Sequence, residues 1–239
     1  MITMYIRAEY EKLDALKYIS HLELMNTFRR TFRRAKIPVA YSQGYNPHII
    51  FSMSQPLPVG MVGYHEYFDL ELKEKIRFDL MKKQINEKLP GGLRVLDMIE
   101  IHEKEKSLQA IVNTARYRYK MSFKKEVKQK EILEQFLGEK EIEITRFRRN
   151  KDDRLIDLAP MIHAGKVVED GIWEFTISTG SSGNVRPQEV IRALKLKSEG
   201  LVEEIPLVNI ERLGMFIRKK DKLYKPINRQ VLKKEVREN

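Results

Sequence analysis

The chain is 239 residues long, 42% apolar and 33% charged, and its 45 lysines and arginines outnumber 34 aspartates and glutamates, for a net charge of +11. This is a globular composition with room for one large domain or two of about 100 to 120 residues, and its positive field attracts polyanions. The absence of cysteine excludes disulfides, a thiolate nucleophile, a cysteine-built zinc site and a cysteine-ligated iron–sulfur cluster.

No apolar run approaches the roughly 20 residues that span a bilayer, and the opening MITMYIRAEY is charged too early for a signal-peptide core. A cytoplasmic location without a membrane partner is expected. Residues 4–9 read as a first strand. Residues 20–36 then carry a full helix-start signal, Ser20 as N-cap with Glu23 three positions on as a capping box. At about 100° per residue, Leu24, Met25, Phe28, Phe32 and Ala35 share one arc, while Asn26, Arg29, Arg30, Arg33 and Arg34 fill the opposite one. Pro38 closes the helix by disfavouring helical geometry at the residue before it.

Residues 41–58, YSQGYNPHIIFSMSQPLP, read as loop, short strand at 49–51, then loop. The alternation of residues 65–72 predicts a strand, 76–89 have helical spacing, and 93–101 return to strand content after Pro90-Gly91-Gly92. Residues 104–110 form a charged, core-poor connector. Beyond it the order returns: strand 115–123, helix 125–137, strands 142–147, 155–158 and 171–177, helix 187–196, strand 207–217. The expected fold class is α+β, with two tandem ferredoxin-like βαββαβ units, residues 1–104 and 110–218. Residues 219–239 follow as a basic tail, eight basic residues against three acidic ones, either solubilising or phosphate-contacting.

Arg29, Arg30, Arg33 and Arg34 on one helical face suit bidentate contacts to successive phosphates, the alternative being a solvated charged face. The loop that follows combines Tyr41, Gln43, Tyr45, Asn46 and His48 around the permissive Gly44. Rings and hydrogen-bonding side chains on a loop are what stacking on an unpaired base needs; the other reading is a structural turn. Of the five histidines, none stands in an HxH or HExxH pattern, so no metal or other cofactor is expected. His48 on the polar loop and His21 near the helix start are the candidates for acid–base work. Residues 180–187, GSSGNVRP, precede a helix and bring Arg186 to its start. They read as a plain loop with phosphate or RNA-backbone contact as the alternative.

Residues 19–72, ISHLELMNTFRRTFRRAKIPVAYSQGYNPHIIFSMSQPLPVGMVGYHEYFDLEL, resemble the signature of a radical-SAM-associated bacterial domain family of unknown function. LIDLAPMI (155–162), NVRPQEVIRAL (184–194) and NIERLGMFI (209–217) extend the resemblance over most of the chain. The sequence departs from the family pattern at Glu23 and Tyr45, where Asp and Phe are expected. The resemblance implies an accessory that sits beside or is fused to a radical SAM protein, with RNA modification and translation as its setting. It brings no catalytic assignment. Because the cluster of such an enzyme needs cysteines that this chain lacks, the chain is not that enzyme.

The expected function is a non-catalytic, RNA-binding accessory of a radical SAM enzyme that binds or presents tRNA or rRNA. The alternatives are a metal-independent endoribonuclease using His48 or His21, and a protein-only adaptor whose basic surface meets an acidic patch on the partner enzyme.

Overall fold

The computed structural model describes residues 3–103, 105–147, 152–181, 183–230 and 232. Two compact units emerge, residues 1–112 with 214–239, and residues 113–213.

In the first unit, strand β1 (Met4–Lys12) turns Met4, Ile6, Ala8 and Tyr10 toward the core. Helix α1 (His21–Arg34) starts as expected: Ser20 Oγ accepts from the Glu23 amide at 3.2 Å, and Glu23 Oε2 accepts from the Ser20 amide at 2.8 Å. It ends two residues short of the predicted limit. Lys36 adopts φ +54°, its amide donates to Arg33 O, and the Ile37 amide donates to Phe32 O at 3.0 Å. That is a Schellman ending, with the buried Ile37 and Phe32 as its apolar contact. The turn, rather than Pro38, stops the helix.

Strands β2 (Phe51–Met53), β3 (Val62–Leu72) and β4 (Leu93–Ile101) complete this part of the sheet, with helix α2 (Phe78–Asn86) between the last two. β1 runs antiparallel to β3 and to β4, and β2 antiparallel to β3. Phe28 of α1 is fully buried and meets Tyr10 and Phe68 at ring separations of 5.1 Å, with Phe32 and Phe51 close by. Aromatic pairs of this kind add about 0.5–1.5 kcal/mol each beyond their burial. Asn86 locks α2 to β4 by donating to Val95 O and accepting from Val95 N, at 2.9 and 2.8 Å. The short helix α3 (Leu108–Ile111) is tied to β2 through Gln109, whose amide donates to Met53 O.

The second unit opens with β5 (Thr114–Lys120), α4 (Gln129–Gly138) and a two-stranded sheet of β6 (Glu143–Arg146) and β7 (Arg154–Asp157). Strands β8 (Ile162–Glu169) and β9 (Ile172–Ser178) follow, then helix α5 (Pro187–Lys197). β9 pairs antiparallel with β5 and with β8. Trp173, Phe175, Tyr119 and Phe136 fill the core. Gly165 of β8 is required there, because a Cβ would fall 2.8 Å from the Phe175 ring.

Strand β10 (Ile210–Lys219) crosses the division between the units, and β11 (Lys222–Tyr224) folds back on it as a hairpin. Residues 231 and 233–239 of the expected basic tail lie outside the described residues.

The α+β class stands, but two tandem ferredoxin-like units do not. Among the described residues nine strands form one sheet in the order β4-β1-β3-β10-β5-β9-β8, with β2 on β3 and β11 on β10, and β6–β7 form a separate pair. A tandem arrangement needs each unit to close its own sheet within a continuous stretch of sequence. Here the first unit takes residues from both ends of the chain.

Candidate functional site

The buried side of α1 is set by Leu24, Phe28, Thr31 and Phe32, which forces Arg30, Arg33 and Arg34 into solvent. Arg29 is half-buried at the margin. Its Nη1 donates to Asn26 Oδ1 at 3.2 Å, while its Nε is buried without a hydrogen-bond partner. Arg30 reaches Thr27 Oγ1 at 3.5 Å and Arg34 reaches Lys88 O at 3.1 Å. Elsewhere Arg7, Arg77, Arg118 and Arg146 each hold a carboxylate. Among the described residues none pairs with the four arginines of α1. The positive charge of this face is therefore uncompensated, the electrostatic condition for holding phosphates.

The loop after the helix is a closed structure. The Ser42 amide donates to His48 O at 2.9 Å, the His48 amide donates to Ser42 Oγ at 3.1 Å, and Ser42 Oγ lies 2.9 Å from His48 Nδ1. Tyr41, at its base, packs against the core and lies under Lys73 Nζ at 5.1 Å from the ring centroid. Gly44 turns the tip at φ +123°, a region that L side chains rarely adopt. Gln43, Tyr45 and Asn46 project from it, and Tyr45 is 99% exposed. An aromatic ring left in water on a hydrogen-bonded loop is a stacking surface without a protein partner.

The other predicted residues are placed differently. His21 is half-buried in the first turn of α1, on the opposite end from the arginines. Arg186 belongs to the second unit, where its amide donates to Glu189 Oε2 at 2.8 Å and its Nε stands 4.0 Å from Glu189 Oε1. Glu189 is fully buried and clasped by Arg146 through two bonds of 2.6 and 2.5 Å. The start of α5 thus already carries a carboxylate of the chain's own. His65 Nδ1 lies 2.7 Å from Glu9, and His163 Nε2 lies 2.9 Å from Ser178 Oγ. Among the described residues no group of three or more His, Asp or Glu side chains is arranged to hold a metal ion.

Sequence reasoning missed a buried polar network on the second face of the first unit's sheet. Arg7, wholly buried, donates to both oxygens of Asp69 at 2.7 and 2.9 Å and to Lys106 O at 3.0 Å. Glu9, next on that face, accepts from the Tyr67 hydroxyl at 3.0 Å and from Lys225 Nζ at 2.9 Å. Burial, with the Glu9 carboxylate beside it, pushes the Tyr67 phenol far above its ordinary value. The alternating charges of β1 were the available signal, but they read equally well as a solvated strand face.

The fold and site define an α+β protein with an arginine-faced helix that, among the described residues, no carboxylate offsets, followed by an aromatic-tipped loop. The chain belongs to the family described as an uncharacterized protein conserved in bacteria (DUF2344), which it matches over residues 5–187. No curated protein matches it. Among the described residues no helix is long and apolar enough to cross a membrane.

Proposed function

We propose that the protein is a non-catalytic accessory that binds tRNA or rRNA and presents it to a radical SAM enzyme. The observation that carries this reading is that, among the described residues, no carboxylate pairs with Arg30, Arg33 or Arg34 on the solvent side of α1. The Tyr45 loop, which follows α1 in the chain, supplies the exposed ring and polar groups that suit an unstacked base. The partner class comes from the resemblance of residues 19–72 to a radical-SAM-associated family and from the lack of cysteine, which places the cluster outside these residues.

Fluorescence anisotropy with labelled single-stranded RNA and with total tRNA, at low salt, tests RNA binding. Submicromolar affinity that falls steeply with salt is expected. No measurable binding at 50 mM salt would discard the reading and favour the protein-only adaptor. Co-purification with the radical SAM protein after RNase treatment tests the partner.

The endoribonuclease reading draws on one arrangement, the His48–Ser42 pair at 2.9 Å. Ser42 orients the imidazole, but among the described residues no carboxylate backs it as in a relay. Incubation with labelled RNA in the absence of metal decides between the two: the accessory leaves RNA intact, and cleavage abolished by His48→Ala would make the protein an enzyme.

A further inference from the structure

Behind the base of the Tyr45 loop lies an open pocket of about 380 Å³ that none of the expected sites includes. It spreads over the end of the first unit's sheet, on the face away from α1. Tyr5 of β1 stands in register with Glu71 of β3 on one side and Ile101 of β4 on the other. Ser52 of β2 is in register with Asp69, and Ser42 and His48 form the rim.

Its chemistry is the reverse of the arginine face. Asp69 is engaged by Arg7, but among the described residues the half-buried Glu71 carboxylate has no hydrogen-bond or ion-pair partner. A phosphate is repelled there, whereas a group that donates hydrogen bonds is welcomed. Ser52 is exposed and can donate. In the tautomer in which the Ser42 hydroxyl donates to His48 Nδ1, the ring's Nε2 carries the proton and adds a second donor at the rim. Tyr5, Ile50 and Ile101 supply the apolar surface. The volume is at the lower end of the roughly 300–1,000 Å³ typical of small-molecule pockets.

A flat ring with an amino donor beside a ring acceptor meets all these conditions. We infer that the pocket holds a single nucleobase bearing an exocyclic amino group, with Glu71 accepting from that amine and Ser52 or His48 donating to the neighbouring acceptor. Uracil matches less well: it has one ring N–H to offer Glu71, and the carbonyls on both sides of that donor are repelled by the carboxylate. The inference rests on the RNA reading: phosphates go to the arginines and one unstacked base goes to the pocket.

The full chain is titrated with cytidine and with uridine while its amide ¹H–¹⁵N spectrum is followed. Cytidine, and not uridine, should shift the amides of Ser42, Ile50 and Glu71. In parallel, anisotropy compares a cytidine 12-mer with a uridine 12-mer. A hydrogen bond to a charged group predicts about tenfold tighter binding of the cytidine strand. Glu71→Ala and the size-conserving Glu71→Gln should both bring the ratio of the two affinities near one. Equal binding of both strands by wild type, with silence from both nucleosides, overturns the pocket and leaves the RNA reading standing. Cytidine shifts without affinity for either strand would do the opposite. Shifts produced by arginine amide and not by cytidine would also overturn the inference, giving the pocket to a cationic side chain of a protein partner.

Discussion

Replacing Arg30, Arg33 and Arg34 together by glutamine tests the arginine face most directly. The three side chains are exposed, without a carboxylate partner among the described residues, and on one face of a helix whose opposite face is buried. Glutamine has nearly the helix propensity of arginine, so the fold should be unaffected beyond the bond from Arg34 to Lys88 O. Each phosphate neutralised on a single strand contributes about 0.7 to the slope of log affinity against log salt, so three contacts contribute about 2. Between 50 and 200 mM salt the wild type should therefore lose roughly 15- to 20-fold more affinity than the variant. Lys124, Lys125 and Lys130, exposed on the second unit, provide a control that removes the same charge elsewhere. The assay is anisotropy with a labelled RNA 12-mer at several salt concentrations. A slope that is unchanged in the arginine variant, or that falls equally in the lysine control, would refute the assignment of phosphates to this helix.

Four further outcomes are expected. Tyr45→Ala should weaken single-stranded RNA binding by about 1–3 kcal/mol, measured by the same assay, with no change in melting temperature because the ring makes no core contact. Phe28→Ala removes the centre of the aromatic cluster and should cost about 3–5 kcal/mol in urea unfolding. A cost below 1 kcal/mol would contradict the packing described. Arg146→Ala leaves Glu189 buried without its main partner and should destabilise by roughly 3–5 kcal/mol. Glu174 gives a pH signature. Burial raises its carboxyl, but hydrogen bonds from Arg118 and Lys166 outweigh that and hold it below the ordinary 4.5. A depressed folded-state value contributes stability that is present above pH 4.5 and is lost as pH falls through the folded value. Glu174→Gln should flatten that part of the acid-unfolding curve.

What was legible in the sequence was local. Ser20 and Glu23 marked the start of α1 because a capping box is made within four residues, and the arc of Leu24, Phe28 and Phe32 is the arc that became buried. Residues 93–101 were read as a strand and form one. β8 was missed: none of the positions of its sequence IHAGKVVE is fully buried, and the need for Gly165 lies in the Phe175 ring of the neighbouring strand. The ending of α1 was misplaced because Lys36, a non-glycine residue, takes the left-handed position that usually announces itself as glycine. The sheet order escaped for a larger reason. Repeated element order suggested two closed units, whereas hydrogen bonding joins nine strands in one sheet, a relation that no local pattern encodes. The pocket beside His48 was equally hidden, since Tyr5, Ser52, Glu71 and Ile101 meet only through strand register.

Arg7 and Glu9 meet Pro226 and Lys225 across 219 and 216 residues of chain. A ribosome adding roughly 5–20 residues per second has residues 1–112 outside long before it reaches 214–239, and completes 113–213 in between. The unit that holds β1 is thus the later one to be finished. During the roughly 5–20 seconds that intervene, the ionic groups of β1 await their last partners, and the growing chain carries a completed second unit while the first is still open.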